Sequence, residues 1–89
     1  MMTEDDHIAQ GLDAEALLKH PAFDRLFDVV VEKTSRAILE TTIEQQEERE
    51  RLYRTVNGMR AFANELMQMV LIKENIRRQR DAEGDDGDF

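Results

Sequence analysis

Apolar residues recur at helical spacing in two long stretches of this chain, and eight residues without one apolar side chain, Glu44 to Arg51, separate them. In the first stretch Phe23, Leu26, Phe27, Val30, Val31, Ala37 and Ile38 fall on one stripe, with Asp24, Asp28, Glu32, Lys33 and Arg36 mostly elsewhere. In the second, Leu52, Val56, Met59, Ala63, Leu66 and Val70 form a seam spaced by four and three. Tyr53, Phe62, Met67, Met69, Leu71, Ile72 and Ile76 widen that seam towards its C-terminal end. The β-branched run Val29-Val30-Val31 is the one strand-like feature, and the charges around it recur at helical rather than alternating spacing. The pattern predicts an all-α chain.

Punctuation places the elements. Asp13 before Ala14-Glu15-Ala16-Leu17-Leu18-Lys19 predicts a short helix of about two turns with an aspartate cap. His20-Pro21 ends it, and the proline fits the first position of a second helix with His20 as the N-cap. Thr41 and Thr42 precede Glu44 and Gln45 by three residues, the capping-box spacing, so a break is expected near residues 41 to 45. The alternative is one helix from Pro21 to Arg80, roughly 90 Å long at 1.5 Å per residue, which would need a coiled-coil partner. Gly58 lies inside the unbroken seam and reads as a tolerated glycine, or as a kink or a close helix contact. The expected fold is thus an all-α one, a short N-terminal helix followed by a helical hairpin with a long C-terminal helix, packed in an oligomer. Residues 1–12 are expected to be a mobile acidic arm, 13–80 the helical domain and 81–89 a disordered acidic tail.

Eighty-nine residues leave room for one domain and a thin core, which favours association. One buried stripe suffices for a two-helix hairpin, so the wider face of the last helix calls for a second copy or another protein. The expected oligomer or partner interface is Leu52, Met59, Phe62, Leu66, Met69 and Ile76. No apolar run approaches the roughly 20 residues of a membrane span, and the acidic N-terminus is unlike a signal peptide, so the expected location is cytoplasmic.

The net charge of −8 is unevenly spread: residues 44 to 80 carry six acids and eight bases between acidic ends. Lys73, Arg77, Arg78 and Arg80 make the end of the last helix basic. That end can complement the helix dipole, be covered by the acidic tail, or contact a polyanion. The overall acidity disfavours nucleic acid as a partner.

Nothing in the chain assembles a catalytic set. Cysteine is absent, so thiolate metal sites and cysteine nucleophiles are excluded. Ser35, the sole serine, sits mid-helix without a glycine elbow. His7 beside Asp5 and Asp6 lacks an ordered ligand set, and His20 is better used as a cap. Asp85, Asp86 and Asp88 lack the twelve-residue loop and flanking helices of a calcium site. Met59, Met67 and Met69 read as core or oligomer seam, or as an adaptable binding surface, and Phe89 as a terminal docking anchor or a chance aromatic. No enzyme activity, metal or cofactor is expected.

The order Leu18-Lys19-His20-Pro21-Ala22-Phe23, a helix, a polar linker over Thr41 to Glu48, then Arg49-Glu50-Arg51-Leu52-Tyr53 resembles small helical accessory proteins of tailed bacteriophages. The likeness covers roughly residues 17 to 70 and departs from the pattern in lacking a proline or glycine in the linker. It implies a noncatalytic protein working by contacts with other proteins, in a virion or in packaging. Two other classes compete with this expectation: an acidic inhibitor of a host nucleic-acid-binding enzyme, and a packaging subunit binding DNA as an oligomer.

Overall fold

The computed structural model describes the backbone of residues 1–87 and the side chains of residues 1–83. It contains three helices, α1 (Glu4–Lys19), α2 (Pro21–Leu39) and α3 (Gln46–Gly87), and no strand among the described residues. The chain divides into two compact units, one of residues 1–18 and 65–89, the other of residues 19–64.

In the unit of residues 19–64, local chemistry sets both ends of α2. His20 is extended, with φ −71° and ψ 123°, and its Nδ1 accepts the backbone N–H of Ala22 at 3.1 Å. Pro21 follows at a position where no N–H is needed. At the other end the Glu40 N–H donates to the Arg36 carbonyl, and Thr41 closes back on Ile38 through its backbone N–H and its hydroxyl. Residues 40–45 then form the connection, as expected from the threonines. The Gln45 side chain accepts the Thr42 N–H at 2.9 Å, and Arg49 reaches back to the Thr42 carbonyl at 3.2 Å. So short a connection returns the chain beside α2. Thr34 of α2 and Val56 of α3 are buried, Phe23 and Phe27 stack with ring centroids 5.8 Å apart, and Leu52, Met59 and Ala63 are half-buried.

In the other unit α1 runs antiparallel to the C-terminal half of α3, with Asp5 beside Arg80, and with Leu17 and Leu66 lining one groove. Here the structure corrects two boundaries. α1 does not begin at Asp13 but at Glu4, so residues 4–12 are helical rather than an irregular arm. The cause is a capping box at Thr3: the Asp6 N–H donates to Thr3 Oγ1 at 3.2 Å, and the Thr3 N–H donates to Asp6 Oδ2 at 2.9 Å. At the far end the backbone of α3 stays helical through Gly87, past the expected end at Arg80. Opposite charges four residues apart, Arg77 and Asp81, favour the continuation. Asp88 and Phe89, the latter considered above as an anchor, lie outside the described residues.

Gly11 and Gly58 play opposite parts. A Cβ at Gly11 would lie 2.8 Å from the Met69 carbonyl oxygen and closer still to the Lys73 side chain, so the absent side chain is what lets α1 reach α3. A Cβ at Gly58 would meet nothing within 4 Å, so this glycine is neither a close contact nor a steric necessity. Gly11→Ala is therefore expected to destabilise the chain by about 1–3 kcal/mol through overpacking. Gly58→Ala is expected to stabilise it by up to about 1 kcal/mol through helix propensity. Denaturant midpoints of the two variants check the pair, and equal shifts would contradict the assignment.

Candidate functional site

The most unusual side chain in the protein is Lys73. It is 1% exposed, yet it carries a charge. Its stem packs beneath Gly11, so the methylenes act as core filler while the ammonium is held at the edge. Lys73 Nζ pairs with Glu15 of α1 and, at 3.2 Å, with Glu74. Burial of a cation is tolerable when carboxylates meet it directly. The hydrogen bond to Glu15 holds the Lys73 pKa above its ordinary value of 10.5, against the opposing pull of desolvation, with Glu74 assisting. Further along the same pair of helices, Arg80 Nη2 lies 3.0 Å from Asp5 and 3.6 Å from Glu4. Those two carboxylates likewise raise the Arg80 pKa, the Asp5 hydrogen bond contributing most.

This arrangement revises the reading of the basic end. Of the four cations predicted as a polyanion contact, Lys73 is buried and Arg80 is paired, while Arg77 and Arg78 remain exposed. The acids opposite Lys73 and Arg80 come from α1, the segment expected to be largely an arm, and from Glu74; residues 81–83 supply none of the ion pairs made by the two cations.

The predicted interface also separates into parts. Leu66 and Ile76 are buried within the unit that α1 helps to form, so they are core and not free surface. Leu66 shares one groove with Ala14 and Leu17 of α1. Leu52, Met59 and Met69 are half-buried, and Phe62 is 53% exposed, the one residue of the set that stands open. Met67, Leu71 and Ile72, which widen the α3 seam in the sequence, are also open, whereas sequence reasoning missed the open positions of α2: Leu26 at 64%, Val29 and Val30. Their signal was present, because the α2 stripe is wider than one neighbour covers. Leu26 and Val30 form its outer flank, four residues apart, while Phe23, Phe27 and Thr34 form the inner one.

Two shallow concavities accompany these flanks. Val29, Glu32, Lys33, Arg36, Ala37 and Glu40 line one along α2, where Arg36 pairs with Glu32 at 2.9 Å. Gln10, Asp13, Ala14, Leu17, Leu66 and Met69 line the other, between α1 and α3. Neither brings a nucleophile to a base. Among the described residues no group of three or more His, Asp or Glu is arranged to hold a metal ion, and no helix is long and apolar enough to cross a membrane. Compared with known proteins, the chain matches no family model, no curated protein and no solved structure.

The ion pairs predict a pH profile with two limbs. Lys73 has a raised pKa in the fold, so its contribution is present below 10.5 and is lost as pH rises through the folded value. Asp6 is held below its ordinary 3.8 by the Thr3 hydrogen bonds, so its contribution is present above 3.8 and is lost as pH falls through the folded value. Helicity followed against pH should fall at both extremes, and Lys73→Met should remove the alkaline limb while leaving the acid limb in place. An unchanged alkaline limb in that variant would show that the lysine does not anchor α1.

Proposed function

We propose that this protein is a noncatalytic helical interaction module that works as a homo-oligomer, in the assembly of a larger protein structure. The observation that carries the reading is the surplus of open apolar surface over core. Among the described residues only Ala14, Val56, Leu66 and Ile76 are buried apolar side chains, while Leu26, Val29, Leu39, Ile43, Tyr53, Phe62, Met67 and Leu71 are each more than half exposed. Exposed large apolar residues in such number suit association surfaces.

The resemblance to phage accessory proteins supplies a setting for this reading, a virion or packaging accessory, and adds no residue to it. A nucleic-acid role draws less support, because the most C-terminal basic cluster has two of its four cations engaged by carboxylates.

Sedimentation tests the proposal. The native chain is expected to run as an oligomer, and Leu26→Asp combined with Phe62→Asp is expected to reduce the mass to that of one chain while far-ultraviolet helicity persists. Both side chains are more than half exposed, so the fold itself does not depend on them. A native chain that sediments as a monomer at high concentration would overturn the proposal.

A further inference from the structure

The two units differ in charge. Residues 19–64 hold eight acids and eight bases, so the whole net charge of −8 lies on the unit of residues 1–18 and 65–89. Copies brought together through the acidic unit repel one another, and copies brought together through the neutral one do not. The neutral unit also carries the apolar flank of Leu26, Val29 and Val30 on α2, all three exposed. Beside that flank, the concavity along α2 has self-complementary charge. Lys33 and Glu40 stand seven residues apart, two turns along one side of the helix, with Ala37, the smallest side chain of the lining, between them. Glu40 is the C-cap and keeps helical angles, φ −86° and ψ −7°. Both charged residues are exposed, and neither side chain makes an ion pair or hydrogen bond among the described residues. Arg36, in the same concavity, is already matched by Glu32 of its own chain.

A helix that crosses Ala37 with an acid and a base in the reverse order satisfies both ends of this concavity, and α2 of a second copy is such a helix. On the reading of the chain as a homo-oligomer, we infer that two copies pair through α2, antiparallel about a two-fold axis at Ala37, with Lys33 of each chain opposite Glu40 of the other. A parallel pair would set Lys33 against Lys33 and Glu40 against Glu40, so charge selects the antiparallel one. The small side chain at the axis lets the helices approach. The same register carries the end of each α2, and the open Ile43 just beyond it, towards Val29 and Val30 of the other copy. Apolar contact there supplies affinity, while the two ion pairs fix orientation and register.

Charge reversal tests the pairing. Lys33→Glu sets two acids against two acids across the axis, and Glu40→Lys sets bases against bases. Each variant alone is expected to sediment as one chain with its helicity kept, because both positions are exposed and a lysine at the end of α2 suits the helix dipole. Mixed in equal amounts, the two variants are expected to form a species of about twice the mass of one chain, since both cross-axis pairs are then of opposite sign. The double variant, with the pair reversed in every chain, is expected to associate as the native chain does. Single variants that keep the native mass, or lost association that neither the mixture nor the double variant recovers, would overturn the inference.

A second arm reads proximity at the axis. The native chain has no cysteine, so Ala37→Cys introduces a single thiol. Oxidation is expected to join two chains through it, and to join far fewer when Ser35→Cys places the thiol on the opposite side of α2. Equal yields from the two positions would again overturn the pairing. If the single charge variants stay oligomeric, the proposed function stands and only this face fails. A monomeric native chain removes both.

Discussion

A lysine stem packed against a glycine is the contact on which the unit formed by α1 and the end of α3 depends. Gly11 removes the Cβ that would hold the helices apart, and Lys73 fills the space with methylenes while presenting a charge that must be met. Glu15 and Glu74 meet it. Each part requires the others: a larger residue at position 11 would push α1 away, and an unmet ammonium would penalise burial. With Ala14 as the only buried side chain of α1 besides that glycine, little else holds the helix in place.

That dependence also explains the charge distribution. The acids at the start of α1 and the bases near the end of α3 are ends of one antiparallel pair, and they neutralise each other along it. Large apolar side chains nonetheless stand open in both units, Leu26 and Val29 in one and Met67 and Leu71 in the other. A chain whose cations are partly engaged internally and whose leucines, valines and methionines stand open is better suited to binding protein than to binding phosphate.

Features set by neighbours in sequence were legible. The His20 cap, Pro21 at the start of α2 and the break after Leu39 depend on groups within three residues of one another, and each was readable from residue type and spacing. Features set across the fold were not. Glu15 and Lys73 are 58 positions apart, and Asp5 and Arg80 are 75 apart, so nothing local announced either pair. Without those partners the first twelve residues offered too little apolar content to suggest a helix, and Gly11 read as a reason for irregular chain rather than as a crossing point. The Thr3–Asp6 box was overlooked because aspartate stands where glutamate or glutamine is usual. The burial of Leu66 and Ile76 was not legible either, since the docking of α1 on α3 joins residues far apart in sequence. The continuation of α3 beyond Arg80 was missed because the acidic, glycine-punctuated composition there carries no apolar periodicity.

Hydrogen exchange resolved by residue tests the central claim most directly, that α1 and the C-terminal half of α3 form one cooperative unit pinned at Gly11 and Lys73. The amides of residues 8–18 and 66–76 are expected to be protected together in the native chain and to lose protection together in Gly11→Leu, while residues 24–38 keep theirs. Rapid exchange of α1 in the native chain, or loss of protection in α1 alone with residues 66–76 unchanged, would contradict the account.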